Sequence, residues 1–202
     1  MQEILGIFGG TFDPPHLGHL TLAAKAFDEL KLTRLLWVLT PHAPHKLNRQ
    51  ISAPHHRLEM LTRAIQGVPG FEISTVEMDR PGPHFTLDTI KLLQAQYPDA
   101  RLVLLMGSDL LPGFPKWKGS RELIRALYRI GVMRRPGHEI DLSSLAQTHP
   151  NLAARLVLFD NPALEISSSS IRQRITSSED YCYHLPTSVC DYIQQNQPYS
   201  RY

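Results

Sequence analysis

The sequence is short of the residues that build several common kinds of site. Cysteine occurs only twice, at Cys182 and Cys190, from which no disulfide framework or zinc knuckle follows. The acidic side chains show no paired arrangement that would indicate acid–base catalysis by two carboxylates. No apolar run approaches the roughly 18 residues that a membrane span needs, and no basic and apolar leader precedes the first strand. We therefore expect a cytoplasmic protein that does not enter a membrane.

The net charge of the chain is also small. The 202 residues carry 21 basic and 19 acidic side chains, which leaves +2 at neutral pH. This balance argues against bulk affinity for nucleic acid, although a phosphate ligand needs only local positive charge. The apolar share of 42% suffices for a core, and the length suits a single domain over residues 1–202. The sequence does not decide between a monomer and a homo-oligomer.

Apolar runs alternate with amphipathic segments along the chain. Runs such as 35–39 are almost wholly apolar, which is typical of parallel strands buried on both faces. Between them, segments such as 86–96 place apolar residues at helical spacing. The alternation predicts an α/β fold, a Rossmann-like doubly wound parallel sheet with helices on both faces. A small helical part, roughly 167–202, ends the chain. The predicted strands are 4–8, 35–39, 71–76, 102–106, 128–133 and 156–159.

The residues best suited to bind a ligand cluster in Gly9–His19, GGTFDPPHLGH. Its first two glycines let the backbone approach a ligand closely. Its two prolines delay the next helix until about His16–Gly18, and a helix N-terminus is a natural site for phosphate. His16 and His19 stand three residues apart and share one helix face. Two imidazoles there can donate hydrogen bonds to a phosphate chain.

Two motifs resemble signatures of the nucleotidyltransferase superfamily, relatives of the class I aminoacyl-tRNA synthetases. Gly9–His19 resembles GxFDPxHxGH, and Ile166–Arg172 resembles ISSTxIR, with Ser169 where Thr is commoner. The serines can cap a helix, and the Arg172 guanidinium offers five rigid donors to a phosphate. Taken alone, the first stretch could be a glycine turn or half of a zinc site, and the second could be a linker.

Further motifs resemble one branch of this superfamily, the nicotinate mononucleotide adenylyltransferases. Gly107–Asp109 followed by Trp117 resembles its GxDxxxxxxxW pattern, and Arg134–Gly137 resembles its Arg-Arg-Pro-Gly strand end. The Ala43–Lys46 loop resembles Pro-Pro-His-Lys, with Thr40 upstream where Asn is common. Without the resemblance, an Asp after a strand is as readily a helix cap, and a Trp in a loop is as readily part of the core.

The resemblance implies adenylyl transfer from ATP to nicotinate mononucleotide, a step of NAD biosynthesis. It implies three catalytic residues, namely His16, His19 and Arg172. The ATP-binding residues that it implies are Gly9, Gly10, Thr11, Phe12, His16, His19, Gly107, Asp109, Ser167, Ser169 and Arg172. The acceptor-binding residues that it implies are Thr40, His45, Lys46, Thr86, Trp117, Lys118 and Arg134. Mg²⁺ would be held mainly by the ATP phosphates, with no metal site of the protein's own.

Two other functions stay open. A sister enzyme would act on phosphopantetheine or transfer a cytidylyl group, although phosphopantetheine enzymes usually lack a histidine where His16 stands. A nucleotide sensor would keep the pocket without chemistry, although binding alone would not need both histidines and Arg172. The histidines at 42, 45, 55 and 56 match no zinc spacing.

Overall fold

The computed structural model describes residues 2–41, 51–134, 140–160 and 166–200. The strands are β1 Ile4–Gly10, β2 Arg34–Leu39, β3 Phe71–Ser74, β4 Arg101–Gly107, β5 Arg129–Arg134 and β6 Leu156–Asp160. The α-helices are α1 Leu17–Glu29, α2 Pro54–Ile65, α3 Thr86–Gln96, α4 Ser120–Ala126, α5 Leu142–Thr148, α6 Pro150–Ala153, α7 Ser168–Thr176 and α8 Thr187–Asn196. Short 3₁₀ helices cover Ser108–Lys116 and Cys182–His184.

The strands form one sheet in the order β3-β2-β1-β4-β5-β6, and each neighbouring pair is parallel. The chain therefore winds outward from β1 in one direction and then from β4 in the other. Sheets of this kind bind ligands beyond the carboxyl ends of the strands, where the strand order reverses. The predicted doubly wound sheet is confirmed, and its switch point lies between β1 and β4.

The core lies on both faces of the sheet, because alternate strand residues point to opposite sides. On one face Phe8, Trp37 and Leu105 pack with α1, α2, α7 and α8. On the other face Ile7 and Leu104 pack with α3 and α4. The predicted helices on both faces are confirmed, and the last two helices share a core with the sheet.

Several segments differ from the sequence-based expectation: β1 runs on to Gly10 rather than ending at 8, and two further differences have a local cause. β3 ends at Ser74 rather than at 76, because the main chain turns at Thr75, whose carbonyl accepts from Met78 at 2.7 Å. Residues Ser108–Lys116, expected as a loop, form a 3₁₀ helix. Pro112 and Pro115 lack a backbone N–H, which interrupts the regular α-helical hydrogen bonds.

Cys182 and Cys190 form a disulfide that joins the second 3₁₀ helix to α8, with their Cα atoms 5.4 Å apart. The sequence does not predict this link, because the pairing depends on α8 folding back over the turn before it. Along the described ranges, no helix is both long and apolar enough to cross a bilayer.

Candidate active site

The two histidines lie where β1 leads into α1, at the switch point of the sheet. α1 begins at Leu17 with His16 in extended conformation as its N-cap, so the predicted opening near residues 16–18 is confirmed. Gly10 pairs with Leu39 of β2, and Phe8 pairs with Leu105 of β4. The turn therefore leaves the sheet between the carboxyl ends of its two central neighbours.

His16 and His19 form a locked pair. Their rings stack with centroids 3.7 Å apart and 26° between planes. The His16 backbone N–H donates to His19 Nδ1 at 3.2 Å. A neutral imidazole has one donor nitrogen and one acceptor nitrogen, so this contact leaves the proton of neutral His19 on Nε2. The edge-on Phe12 ring, 5.2 Å from His19 between centroids, fixes the other side.

The glycines of this motif leave room for different neighbours. A Cβ on Gly18 would lie 3.0 Å from His16 Nδ1, so glycine lets the His16 ring lie over the first turn of α1 without being displaced. A Cβ on Gly9 would meet nothing within 4 Å, so the main chain there borders open space. The first restriction preserves the histidine pair, and the second leaves a surface that a ligand can approach.

Phe12 is placed differently from the other motif residues. Its φ of 46° lies in the left-handed region, which is uncommon for a residue with a bulky side chain. Its ring is buried among Phe8 and Trp37, with centroid distances of 5.3 Å to each. What Phe12 can offer to ATP is therefore its main chain, whereas its side chain belongs to the core.

Asp13, between Phe12 and the first proline, is the centre of a buried polar cluster. The residue is only 3% exposed. Its Oδ2 accepts from the Ser52 backbone N–H at 3.1 Å, and its Oδ1 accepts from the Ser52 and Tyr199 hydroxyls, the latter at 3.1 Å. Burial and the neighbouring Asp13 charge raise the pKa of Tyr199 well above its usual value. Tyr199 is therefore a hydrogen-bond donor throughout the neutral pH range.

A buried arginine ties this turn to the end of β2. Arg57, on α2, is 1% exposed and donates to four main-chain carbonyls at 2.8–3.0 Å. Those carbonyls belong to Thr11, Thr40, Pro41 and Ser52. Because unsatisfied buried carbonyls are costly, this one guanidinium fixes the relative positions of the motif turn and the loop after β2.

The second motif lies against the same turn. Ser167 caps α7 by accepting from the Ser170 backbone N–H at 3.1 Å, so the predicted serine cap is confirmed. Ser168 Oγ donates to Pro14 O at 2.9 Å, and Arg172 Nη1 donates to Asp13 O at 2.6 Å. Arg172 Nη2 also lies 3.4 Å from Ser169 Oγ. The two motifs, far apart in sequence, are thus joined by direct hydrogen bonds.

The end of β4 carries a second group of predicted residues. Gly107 is the last residue of β4, and Asp109 is exposed in the first turn of the 3₁₀ helix. Trp117 follows that helix, half-buried, with its ring centroid 5.0 Å from that of Phe114. Its indole is therefore neither fully exposed nor part of the innermost core.

Lys118 packs against the start of α3, where Thr86 lies. Thr86 is the first residue of that helix. Lys118 Nζ lies 4.3 Å from the centroid of the Phe85 ring and 3.7 Å from Asp88 Oδ2. Lys118 thus reaches the first turn of α3, the helix that Thr86 begins, and Trp117 is its neighbour in the chain.

Thr40 and Arg134, the other predicted acceptor residues that the structure describes, contact different elements. Arg134 ends β5 and pairs with Asp160 at the end of β6, with 3.2 Å between Nη1 and Oδ1. Thr40 directly follows β2, and its N–H donates to Gly10 O at 2.9 Å. His45 and Lys46 lie outside the described residues, as does most of the Arg134–Gly137 motif.

Sequence reasoning missed Ser52, Arg57 and Tyr199 as residues of this region and gave Asp13, inside the first motif, no role of its own. Arg57 had a detectable signal, because it occupies the apolar stripe of α2 together with Met60, Leu61 and Ala64. A charged residue on such a stripe is seldom buried without a partner. Tyr199 had none, since it lies 186 residues from the aspartate that it contacts.

Comparison with known proteins places the chain among nucleotidyltransferases. A family model described as cytidylyltransferase-like matches residues 7–174. A protein of Thermomicrobium roseum named probable nicotinate-nucleotide adenylyltransferase is 43% identical over 96% of this chain and 91% of its own length. The nicotinate-nucleotide adenylyltransferase of Bacillus subtilis is 38% identical over 96% of this chain and 97% of its own length.

The fold also resembles a solved structure. The nicotinic acid mononucleotide adenylyltransferase of Plasmodium falciparum, complexed with NaAD, superposes with a TM-score of 0.82. The match covers 98% of this chain and 97% of that chain, at 22% sequence identity. At this identity the likeness concerns the arrangement of strands and helices.

Proposed function

Because this chain belongs to the cytidylyltransferase-like family and is homologous to nicotinate-nucleotide adenylyltransferases, we propose that it transfers the adenylyl group of ATP to nicotinate mononucleotide. The products are nicotinate adenine dinucleotide and pyrophosphate, in a step of NAD biosynthesis. The observation that carries this proposal is the locked His16–His19 pair, which faces the switch point of the sheet and is tied to α7 through the Asp13–Arg172 hydrogen bond. We infer a single domain that works in the cytoplasm without nucleic acid or membrane.

The reaction needs positioning more than proton transfer. A phosphate oxygen of nicotinate mononucleotide, already ionised at pH 7, attacks the α-phosphorus of ATP. The new P–O bond forms as the bond from the α-phosphorus to the β-bridging oxygen breaks, and pyrophosphate leaves. Negative charge grows on the oxygens around the α-phosphorus, where preorganised donors lower the barrier most. No general base is required.

Our proposal assigns this donor role to His19 first. Its Nδ1 accepts from the His16 N–H, which keeps Nε2 as the donor, and the stacked and edge-on rings hold its orientation. Arg172 binds the far phosphates while it braces Asp13 O, because a guanidinium has five N–H donors. The proposed ATP-binding set is Gly9, Gly10, Thr11, Phe12 through its main chain, His16, His19, Gly107, Asp109, Ser167, Ser169 and Arg172.

The acceptor lies, in this proposal, between the end of β2 and the start of α3. Trp117 offers a flat ring for the pyridine, with Thr86 and Lys118 beside its carboxylate, and Arg134 supplies positive charge near phosphate. Thr40, His45 and Lys46 complete the proposed set. An amide in place of the carboxylate would direct its NH₂ at donors, which costs about 1–3 kcal/mol. We therefore expect nicotinate mononucleotide to be preferred over nicotinamide mononucleotide.

Mg²⁺ fits this site as a companion of the triphosphate. Within the described ranges no group of three or more His, Cys, Asp or Glu side chains could hold a metal. Phosphate oxygens and water are the ligands that Mg²⁺ commonly takes beside nucleotides. When bound, the ion supplies positive charge that neutralises the phosphates.

An acceptor screen tests the proposal. The protein is incubated with Mg-ATP and, in turn, nicotinate mononucleotide, nicotinamide mononucleotide, phosphopantetheine or no acceptor, and pyrophosphate release is followed. We expect release with nicotinate mononucleotide, less with the amide, and none without acceptor. A parallel series with CTP distinguishes cytidylyl transfer. Release only with phosphopantetheine, only with CTP, or with no acceptor at all would contradict the proposal.

A further inference from the structure

Tyr199 lies in the turn after α8, far along the chain from either motif, yet it touches the motif turn. The residue is 2% exposed, and its hydroxyl is 3.1 Å from Asp13 Oδ1. The Ser52 side chain also hydrogen-bonds to this hydroxyl in the sense that favours the phenolate, that is, as a donor, and the Met60 sulfur at 3.8 Å is a much weaker acceptor than a carboxylate. The hydroxyl proton therefore points at Asp13.

The Asp13 carboxylate depends on such donors. A carboxylate that is 3% exposed is stable as an anion only when hydrogen bonds replace its lost hydration. Ser52 and Tyr199 supply them, Ser52 through its N–H and hydroxyl and Tyr199 through its hydroxyl. Removal of the Tyr199 hydroxyl leaves the carboxylate with the two Ser52 contacts and with Arg172 Nη1 at 4.0 Å from Oδ2, so its orientation is held less firmly.

A rotation of the Asp13 side chain would disturb the residues that we propose bind the phosphates. Its main-chain carbonyl accepts from Arg172 at 2.6 Å, and the next carbonyl, of Pro14, accepts from Ser168 at 2.9 Å. His16, three residues after Asp13, begins the helix that carries the histidine pair. The side chain of Asp13 is thus held by Ser52 and by the turn after α8, while its main chain is held by α7.

We propose that Tyr199 is a positioning residue for adenylyl transfer, acting through the Asp13 carboxylate on the motif turn and on Arg172. This inference rests on the proposed function. It predicts that the hydroxyl matters to turnover and to ATP more than to the acceptor, because its contacts lead to the phosphate-binding motifs. The raised pKa of Tyr199 agrees with this role, since the hydroxyl then remains a donor at neutral pH.

Tyr192 provides a matched control within α8. It is also buried, at 7% exposed, and its hydroxyl lies 2.7 Å from His56 Nδ1 on α2. Tyr192→Phe therefore deletes a hydroxyl contact between the same part of the chain and the body of the protein. It leaves the motif turn untouched, so it reports what the loss of one such hydrogen bond costs in stability alone.

The experiment compares full-length wild type, Tyr199→Phe and Tyr192→Phe. We measure melting temperature, kcat, KM for each substrate, and the Kd of Mg-bound non-hydrolysable ATP analogue by calorimetry. We expect similar melting temperatures for the two variants. Only Tyr199→Phe should lower kcat about tenfold and weaken the analogue about three- to tenfold, the size of effect expected for the loss of one ordinary hydrogen bond. Its KM for nicotinate mononucleotide should stay within twofold of wild type.

The Kd of the ATP analogue tests this inference separately from the proposed function. If wild type transfers no adenylyl group to any acceptor, the proposed function fails, and the analogue Kd still decides whether Tyr199 supports the phosphate-binding motifs. Equal behaviour of Tyr199→Phe and Tyr192→Phe in both kcat and Kd would overturn the role of Tyr199.

A double variant tests the route through Asp13. Asp13→Asn keeps the size of the side chain and removes the charge that the hydroxyl supports. If Tyr199 acts through Asp13, the double variant Tyr199→Phe/Asp13→Asn loses no more activity than Asp13→Asn alone. Multiplied losses would contradict that route. Should Tyr199→Phe not fold, Asp13→Asn alone carries the test. It must then weaken the analogue while leaving the acceptor KM within twofold, and an equal effect on both would overturn the inference.

Discussion

At the amino ends of β1, β2 and β3, Arg34 donates to Glu72 at 2.5 and 2.7 Å and to Glu3 at 3.1 Å. These side chains are 30–44% exposed. At the carboxyl ends of the same sheet, Arg57 and Asp13 are nearly inaccessible, and Arg57 donates only to main-chain carbonyls in the contacts described above. The amino ends of the strands are therefore linked by partly exposed ion pairs, whereas the carboxyl ends are linked by buried hydrogen bonds to the backbone.

This difference indicates that the amino end of the sheet contributes mainly to stability, whereas the carboxyl end contributes to function. Exposed ion pairs are screened by solvent and contribute modestly, so the amino end tolerates motion of its side chains. Buried polar groups are costly unless every partner is in place, so the carboxyl end has one arrangement only. A site that must meet developing charge with fixed donors needs that second kind of construction. We therefore expect substitutions at the two ends to affect different measurements.

The largest expected effect at the carboxyl end follows loss of the His19 donor. His19→Ala should lower kcat about 10²- to 10³-fold, the usual cost of one transition-state donor, with little change in ATP affinity. Two conservative variants sharpen the test. His19→Gln can place an amide N–H near the former Nε2 and should retain more turnover than His19→Asn, which cannot reach that position. Near-normal turnover in a folded His19→Ala protein would remove His19 from the mechanism.

Loss of the Arg172 guanidinium comes next. Arg172→Ala should raise the KM for ATP about 10- to 150-fold, the range for hydrogen bonds to a charged group, and should change the acceptor KM less. Each KM is measured with the other substrate saturating. Arg172→Lys keeps the charge but not the fork that reaches both Asp13 O and a phosphate, so it should recover only part of the loss. Equal changes in both KM values would place Arg172 away from ATP.

Trp117 should affect the acceptor alone. Ring stacking contributes about 1–3 kcal/mol, so Trp117→Ala should weaken nicotinate mononucleotide about 5- to 150-fold while ATP is bound as before. The half-buried ring also packs on Phe114, so Trp117→Leu, which keeps much of that apolar contact, separates packing from stacking. If leucine restores acceptor affinity together with the melting temperature, Trp117 is a core residue and not a platform.

The smallest effect is expected at the amino end. Arg34→Met should lower the free energy of unfolding by about 0.5–1 kcal/mol and leave kcat within twofold. Hydrogen bonding to Arg34 lowers the pKa of Glu72, so the pair's contribution is fully present above about pH 4.5, the ordinary Glu value, and fades as the pH falls through the lower folded value. Urea unfolding from pH 7 downward should show the two proteins converging in acid. A constant difference across that range would contradict the assigned pair.

The sequence predicted those parts of the fold whose causes are local. The apolar runs of β2 and β4 mark buried parallel strands wherever they occur, and the two prolines before His16 set the start of α1. Ser167 caps α7 because its own hydroxyl reaches the turn beside it. The sequence predicted a doubly wound parallel sheet but not the order of its strands. That order, with its reversal between β1 and β4, depends on which helices cover which face.

The buried polar cluster could not be predicted in this way. The Tyr199–Asp13 hydrogen bond exists only after α8 has packed on the sheet, and the Arg57 clamp depends on where the loop after β2 runs. Phe12 was assigned to ATP from its motif, but the left-handed turn directs its ring into the core. The contacts of His45 and Lys46, the roles of the site residues and a single domain over residues 1–202 stay predictions.

Nucleotides should bind at the carboxyl ends of the strands and not at the amino ends. Hydrogen exchange at short labelling times, with and without a Mg-bound non-hydrolysable ATP analogue plus nicotinate mononucleotide, measures this directly. We predict slower exchange of amides in residues 9–20 and 166–172, with no change in residues 33–36 and 71–74. Protection at the amino ends, or none in the two motif segments at saturating ligand, would contradict the account.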